Sequence, residues 1–356
     1  MNIKQLRIIQ SNFLHELQDA QNGKKTSLRF IVHQIPPSPI VKNGEAFQAF
    51  VIGGTVAKTA TLRKKDANIK ILDSKQYQIS FKTGQDFLAF VEDKLGKDIN
   101  VIALNFAYPM TPVFENGRLD GILLTIPKEG TFHGLIGKKI AKEIEGYILK
   151  KRNKKITASV ANDTVCLLLS GLTKYKWHEL AGGVIGTGVN FAFFLDKGKL
   201  VNLESANFDK FTLSQEASII DKESREPNIH LFEKETAGAY LYKHFNIIIK
   251  DRKISYPLIN STEELNAICS KRISQASEIA QNLLRRSAQL VACQIAGITE
   301  FKKRAMVFNM EGSLFWKGNE YKETVEKTVK QLAPKYGITF VEIEESGILG
   351  AAKLVS

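Results

Sequence analysis

The sequence predicts an α/β protein of two domains, and three observations support this fold class. The chain has 356 residues, whereas a single hydrophobic core stops growing at roughly 250–300 residues. Short apolar runs typical of strands alternate with longer segments whose apolar residues recur at helical spacing. A strand, a glycine turn and a second strand follow one another twice, at residues 47–62 and at residues 183–195, which predicts two hairpins.

The first half of the chain contains most of the predicted strands. An apolar stripe over residues 3–17 is typical of a helix, and residues 28–34 form a predicted strand before Pro36, Pro37 and Pro39. Proline neither continues a helix nor pairs fully in a sheet, so this segment is interpreted as a crossing between domains. Further strands are expected at residues 69–71, 77–81, 99–106, 121–125 and 156–160, with helices over residues 86–95 and 135–148.

The second half is predicted to be richer in helices. Residues 267–296 carry apolar side chains at helical spacing, with Arg285 and Arg286 facing outward, which predicts one long packing helix. Residues 321–332 form another predicted helix. Short strands are expected at residues 305–309 and 340–342.

Composition narrows the class of protein. The formal net charge of +13 suits a nucleic acid, an anionic membrane or an anionic small substrate. We favour the small substrate, because the lysines are scattered and no nucleic-acid motif accompanies them; strong, salt-sensitive binding to nucleic acid would indicate otherwise. The three cysteines lie far apart, which predicts small buried residues in a reducing compartment. No apolar run reaches the ~18 residues of a membrane span, so a cytoplasmic protein is expected.

The stretch with the clearest chemistry is Asn162-Asp163, at the end of a predicted strand. It lies in sequence between the turns Gly53-Gly54-Thr55 and Gly186-Thr187-Gly188. Glycines let a backbone take positive φ and direct consecutive N–H groups at a phosphate. A carboxylate between two such turns suggests phosphoryl transfer. Each turn alone is equally compatible with an ordinary hairpin, and Asp163 alone with a helix N-cap.

These motifs resemble, in their order, the core of the eukaryotic-type hexokinases. The resemblance starts near residue 35, continues to the C-terminus, and includes Asn202-x-Glu204, Leu231-Phe232-Glu233-Lys234, Met310-Glu311-Gly312-Ser313 and Glu345-Ser346-Gly347. It implies a two-lobe actin-like ATPase fold of the ribonuclease H-like type, with a cleft between the lobes. By this resemblance residues 40–163 form a small lobe and residues 164–345 a large lobe, on which residues 1–39 pack. Residues 346–356 then return towards the small lobe.

The resemblance also implies an activity and its residues. The family transfers the γ-phosphoryl group of ATP to the primary hydroxyl of a glucose-like hexose, with Asp163 as general base and Lys128 contacting sugar or phosphate. The implied sugar contacts are Asn162, Asn190, Glu204 and Glu233. The implied nucleotide contacts are Gly53, Gly54, Thr55, Lys58, Gly186, Thr187, Gly188, Gly312, Ser313 and Gly347. No side chain is assigned to Mg²⁺, which the nucleotide and water are expected to hold. Hexose and ATP are the expected partners.

Several positions depart from the family pattern. The acid that precedes the first glycine turn, which in the family helps to hold hydrated magnesium, is Val51 here. The family's sugar-loop serine is Ala107, the threonine beside the lysine is Pro127, and the Trp-Gly after the first glutamate is Ser205-Ala206. An alternative hypothesis is therefore a hexose-binding sensor or regulatory protein that retains the sugar residues without catalysis.

Overall fold

The computed structural model describes residues 1–66, 68–124, 132–269 and 274–356. Its strands are β1 (Ile31–Gln34), β2 (Ala46–Ile52), β3 (Val56–Lys65), β4 (Asn68–Gln78), β5 (Val101–Phe106), β6 (Met110–Glu115), β7 (Arg118–Leu123), β8 (Thr157–Ala161), β9 (Leu180–Ile185), β10 (Val189–Asp196), β11 (Lys199–Asn202), β12 (Met306–Glu311) and β13 (Ile338–Val341). Its α-helices are α1 (Ile3–Gln21), α2 (Gly84–Lys94), α3 (Ile140–Arg152), α4 (Asp163–Ser170), α5 (Gln215–Glu223), α6 (Leu231–Thr236), α7 (Gly238–Asp251), α8 (Thr262–Cys269), α9 (Gln275–Lys302), α10 (Ser313–Lys317), α11 (Tyr321–Leu332) and α12 (Ser346–Lys353). Within these described ranges, no helix has the length and apolar character needed to cross a bilayer.

The chain forms two compact units, each of which is discontinuous in sequence. The helical unit consists of Met1–Phe30, Gly183–Phe191 and Leu203–Val341. The sheet unit consists of Ile31–Gly182, Ala192–Asn202 and Glu342–Ser356. Strands β9 and β10 therefore each contribute residues to both units, while the other elements lie in one unit.

A five-stranded mixed sheet with the order β4-β3-β2-β5-β8 is the centre of the sheet unit. Strands β2, β3 and β4 are antiparallel neighbours, whereas β5 runs parallel to both β2 and β8. Every residue of β5 is buried, as expected for a central strand that is covered on both faces. This unit also contains a β6–β7 hairpin and an antiparallel pairing of β1 with β11, which pairs in turn with β10.

An aromatic cluster occupies the end of the sheet where β5 finishes. The rings of Phe106 and Tyr108 both pack on Phe132, with centroids 5.3 and 4.7 Å apart. Phe81 and Phe87 complete the cluster, and the Phe87 ring lies 5.4 Å from that of Phe106. These largely edge-to-face contacts hold the segment that follows β5, because large rings bury much area and have few rotamers.

Helix α9 is the packing axis of the helical unit, and α1 and α11 both lie against it. A Cβ at Gly297 would lie 2.7 Å from Cδ1 of Phe13, so the missing side chain makes room for the phenylalanine ring of α1. On α11, the buried Tyr321 hydroxyl lies 2.7 Å from Oγ of Ser287. These two contacts fix both neighbours of α9 along its length.

The predicted mixed α/β class is confirmed, and the predicted helix over residues 321–332 is α11. The long helix expected over residues 267–296 is instead two helices, α8 and α9. Ser274 begins α9, because its hydroxyl accepts the N–H of Ser277 (3.2 Å). The strand expected at residues 69–71 lies within β4, which also includes residues 77–78 of the next expected strand, whereas residues 79–81 follow its end.

The helix expected over residues 135–148 begins later than its apolar pattern indicates. Helix α3 starts at Ile140, and Gly134 and Gly137 precede it with positive φ angles of 90° and 78°. Such angles interrupt a right-handed helix. Pro127 and Lys128 lie outside the described residues.

All three cysteines are unpaired and buried. Burial raises the pKa of the Cys269 thiol to about 11 and that of Cys293 to about 12. Burial also raises the pKa of Cys166. The thiols are therefore neutral core groups, in agreement with the prediction that these residues are buried.

Helix α12 packs against α4 at Gly350, where there is no room for a side chain. A Cβ at Gly350 would lie only 1.8 Å from the carbonyl oxygen of Cys166. Gly146, in the middle of α3, is a matched control, because a Cβ there would have nothing within 4 Å. We expect Gly350→Ala to lower the free energy of unfolding by at least about 1–3 kcal/mol through overpacking.

The same substitution at Gly146 should raise the free energy of unfolding by about 1 kcal/mol, because alanine favours the helix. Urea unfolding of both variants measures the difference. Equal stability of the two variants would contradict this account of the α4–α12 contact.

Candidate active site

Asn162 and Asp163 lie where β8 ends and α4 begins. The Asn162 side chain is the N-cap of α4, and its Oδ1 accepts the N–H of Thr164 (3.0 Å). Asp163 is the first residue of the helix, and its Oδ1 also accepts from Thr164 N (2.7 Å). The capping role that the sequence left open for Asp163 thus belongs to Asn162.

The Asp163 carboxylate is solvent-accessible, yet many protein atoms surround it. Desolvation raises its pKa above the ordinary value, while hydrogen bonds from Thr164 and Asn162 act in the opposite direction. A carboxylate that is only partly hydrated binds a proton more strongly than one on an open surface.

The first glycine turn, Gly53-Gly54-Thr55, joins β2 to β3 in the sheet unit. The N–H of Gly53 donates to the carbonyl of Val56 (3.0 Å). The hydroxyl of Tyr108, from the aromatic cluster, donates to the carbonyl of Gly53 (3.1 Å). The cluster thereby anchors the base of the turn, while Gly54 and Thr55 are exposed at its tip.

Val51 lies on one face of the sheet with two polar neighbours. It pairs with Lys58 on β3 and with Asn105 on β5, so these three side chains project from the same face. A Cβ at Gly347 would lie 3.3 Å from Cγ2 of Val51, which places the start of α12 over this face. Nζ of Lys58 lies 3.5 Å from Oε2 of Glu345. Two predicted nucleotide contacts, Lys58 and Gly347, therefore lie beside the position where the family has an acid.

The second glycine turn, Gly186-Thr187-Gly188, belongs to the helical unit and rests on the start of α7. The N–H of Gly186 donates to the carbonyl of Gly188 (3.0 Å). The N–H groups of Gly238 and Ala239 donate to the carbonyls of Gly186 (2.8 Å) and Thr187 (3.2 Å). These bonds fix the turn against the helix.

Glu233 on α6 lies directly against this turn. Its Oε2 accepts the N–H of Val189 (3.3 Å). A Cβ at Gly188 would lie 2.8 Å from the same oxygen, so a side chain at that position would displace the carboxylate. Desolvation, together with the nearby charge of Glu204, raises the pKa of Glu233 to about 7.

Asn190 connects the turn to Glu204. Its Oδ1 accepts the N–H of Ser205 (3.2 Å) and that of Phe191 (2.8 Å). Glu204 itself has a left-handed backbone, with φ 50° and ψ 48°. The structure therefore brings together three of the four predicted sugar contacts, Asn190, Glu204 and Glu233, within the helical unit.

A cavity of about 390 Å³ in the helical unit contains several predicted nucleotide residues. Gly186, Thr187 and Ser313 line it. Sequence reasoning missed the other polar residues of its wall, which are Tyr242, Asn260, Ser261, Thr262, Glu263, Asn266 and Lys317. The run Asn260-Ser261-Thr262-Glu263, in which α8 begins, is a recognisable helix-start pattern, but nothing in that pattern indicates a ligand.

The glycines of the two turns do not act as the sequence suggested. Among the described glycines, those with positive φ are Gly23, Gly44, Gly117, Gly134, Gly137 and Gly312. The glycines at 53, 54, 186 and 188 are not in this group. Gly188 is needed for the approach of Glu233, and a Cβ at Gly312 would lie 2.1 Å from the carbonyl of Ile185. Room for the Glu233 carboxylate therefore explains the glycine at 188, whereas Gly312 combines a close backbone approach with a positive φ of 116°.

The cavity is large enough for a small molecule. Its volume lies within the range of roughly 300–1,000 Å³ that is typical of small-molecule sites. Within the described residues, no three His, Cys, Asp or Glu side chains form a group that could hold a metal ion. Magnesium accepts phosphate oxygens and water as ligands.

Comparisons with known proteins agree with the fold and the motifs. The hexokinase family model matches residues 250–356. A hexokinase of Emericella nidulans is 24% identical over 99% of this chain and 87% of its own length. Hexokinase-1 of Saccharomyces cerevisiae is 23% identical over 99% of the chain and 88% of its own length.

Solved structures show the same similarity. A hexokinase of Schistosoma mansoni, complexed with glucose, superposes with a TM-score of 0.78 at 18% identity, covering 100% of this chain and 95% of its own. A ROK hexokinase of Thermus thermophilus gives 0.59 at 14% identity, with 87% and 98% covered. The fold is thus the two-lobe fold of the sugar kinases. The resemblance to the hexokinase family, first indicated by the motifs, is confirmed across the chain.

The raised pKa of Glu233 has a measurable effect on stability. Between the ordinary value of 4.5 and the folded value of about 7, the folded protein binds more protons than the unfolded chain. Stability from this group is therefore present below the lower value and is lost as the pH rises through the higher one. Glutamine cannot ionise and escapes this loss.

As the pH rises from about 5 to about 8, we expect the free energy of unfolding of Glu233→Gln to increase relative to that of the parent by roughly 1–3 kcal/mol. Urea unfolding at both pH values measures the change. A difference between variant and parent that does not vary with pH would show that Glu233 titrates normally.

Proposed function

We propose that this chain is an ATP-dependent hexose kinase, which transfers the γ-phosphoryl group of ATP to the primary hydroxyl of a glucose-like hexose. The observation that carries the proposal is the meeting of Asn190, Glu204 and Glu233 at the second glycine turn. A hexose presents a ring of hydroxyl groups. Carboxylates and amides that bind these groups reject a sugar that leaves them unpaired.

Asp163 is the proposed general base. Its carboxylate accepts the proton of the primary hydroxyl as the hydroxyl oxygen bonds to the γ-phosphorus. The bond from that phosphorus to the bridging oxygen of ADP breaks in the same transfer. The raised pKa of Asp163 strengthens its hold on the proton. Asn162, as the helix N-cap, keeps this end of α4 in place.

Gly186, Thr187, Gly188, Gly312 and Ser313 would hold the nucleotide in the helical unit. In the sheet unit, the exposed tip of the first turn, with Lys58 and Gly347, is proposed to contact phosphate. Bound Mg²⁺ supplies neutralisation of the phosphate charge. Lys128 is retained as a proposed contact to sugar or phosphate.

Replacing the base tests the assignment of Asp163. We expect Asp163→Asn to lower turnover about 10²–10⁴-fold, because the amide cannot accept the proton, while hexose affinity changes little. Coupled ADP release measures turnover across a panel of hexoses, and calorimetry measures sugar binding. Asp73→Asn, at an exposed ion pair on β4, is the control and should retain full activity.

Turnover of Asp163→Asn within a few fold of the parent would refute the role of Asp163. Tight hexose binding by the parent without any ADP release would instead support the sensor hypothesis.

Val51 suggests a second experiment. A carboxylate at this position would face the sheet surface that Lys58 and Asn105 share, where it could bind the water shell of magnesium. We expect the parent to bind Mg²⁺-ATP weakly and Val51→Asp to turn over faster at low Mg²⁺. The Val51→Asn variant has nearly the same side-chain shape as Val51→Asp but carries no charge, so it is the matched control.

ADP release across Mg²⁺ concentrations, with thermal melting to verify folding, measures this effect. If the folded Val51→Asp variant is no faster than Val51→Asn, another group already binds the water shell of magnesium.

A further inference from the structure

We propose that Gln294 is a positioning residue for the hexose site. Its side-chain amide holds the backbone at Ser205 so that the adjacent Glu204 presents its carboxylate to the sugar. This inference deepens the proposed function, since it takes Glu204 to be a sugar contact. Gln294 lies on α9, in a part of the sequence that none of the recognised motifs includes.

Side chains hold both polar backbone groups of Ser205. Nε2 of Gln294 donates to the carbonyl of Ser205 (3.2 Å). On the other side, the N–H of Ser205 donates to Oδ1 of Asn190 (3.2 Å). Gln294 and Ser205 are both fully buried. Two elements distant in sequence, β10 and α9, therefore fix the residue that follows Glu204.

The backbone of Glu204 requires such support. Its φ of 50° lies in the left-handed region, where a residue with a Cβ is disfavoured. A strained conformation of this kind persists only when its surroundings hold it, and such residues concentrate at functional sites. The bonds to Ser205 supply this restraint one peptide away from the strained residue.

Stability alone does not explain a glutamine at position 294. In the part of the chain that the structure describes, Gln294 Oε1 and Ser205 Oγ are buried without a hydrogen-bond partner. A buried polar atom without a partner disfavours folding, and an apolar side chain of the same size would avoid that cost. The benefit of the glutamine therefore lies in the N–H group that reaches Ser205.

Gln48 provides a matched control, because it is a second buried glutamine that holds backbone. Its Nε2 donates to the carbonyl of Lys94 (2.8 Å), and its Oε1 accepts the N–H of Gly96 (3.1 Å). It belongs to the sheet unit, whereas Asn190, Glu204 and Glu233 belong to the helical unit. Replacing it tests whether loss of any buried glutamine impairs the hexose site.

The first experiment compares Gln294→Met with Gln48→Met, since methionine keeps the length of the side chain and removes the amide. Phe208 N–H also donates to the Ser205 carbonyl (3.1 Å), so the first variant is expected to fold. We expect Gln294→Met to weaken glucose binding roughly 10- to 100-fold in calorimetry, because misplacement of a binding group has effects of this size. Gln48→Met should bind glucose as the parent does. Equal glucose affinity of Gln294→Met and the parent would overturn the proposal.

A double-mutant cycle separates positioning from a general structural effect. Because Gln294 acts through Glu204, we expect Gln294→Met to weaken glucose binding no further once Glu204→Ala is present. An additional loss of the same size as in the parent would show that Gln294 acts by another route and would overturn the proposal.

A crystal structure of Gln294→Met tests the geometry independently of sugar binding. We expect one of two changes: either Glu204 leaves its left-handed conformation, or the backbone of residues 203–206 takes a different path. An unchanged Glu204 backbone and carboxylate would overturn the positioning role, even if the parent proved to bind no hexose. If the parent does not bind glucose but the backbone change is observed, the proposed function is contradicted and the positioning role of Gln294 is not.

Discussion

Backbones that approach too closely for a Cβ determine much of this structure. A side-chain atom at Gly350 would lie 1.8 Å from the Cys166 carbonyl, and one at Gly312 would lie 2.1 Å from that of Ile185. The absence of a side chain at Gly188 likewise leaves room for the Glu233 carboxylate. In each case the glycine is required because another group occupies the space of a side chain. The second glycine turn, which first indicated phosphate binding, is therefore also a packing motif.

Two carboxyl groups of the candidate site share a partial loss of hydration. Desolvation is the largest cause of the raised pKa at both Asp163 and Glu233. Their other surroundings differ, because hydrogen bonds from Thr164 and Asn162 favour the ionised form of Asp163, whereas Glu204 disfavours ionisation of Glu233. Perturbed pKa values of this kind concentrate at functional sites. Asp163 belongs to the sheet unit and Glu233 to the helical unit, so each unit carries one of these acids.

The sequence correctly predicted elements that are defined by a local pattern of apolar residues. Helix α11 has the predicted bounds, because its apolar spacing continues to both ends. The boundary between α8 and α9 was missed, since apolar residues at helical spacing occur on both sides of it. Contacts between distant residues were also beyond the sequence. The bond from Gln294 joins positions 89 residues apart, and the ion pair of Lys58 joins positions 287 apart. Motifs identified Glu204 but gave no indication of what holds it.

The buried cysteines have a practical consequence. A maleimide reacts with the thiolate form, and burial keeps the Cys166, Cys269 and Cys293 thiols protonated and out of contact with solvent. A cysteine introduced on the surface would therefore be the principal reactive thiol of the folded chain. Fluorophores could be attached in pairs, one to each unit, without first removing the native cysteines. The natural sequence is thus already suited to distance measurements by energy transfer in solution.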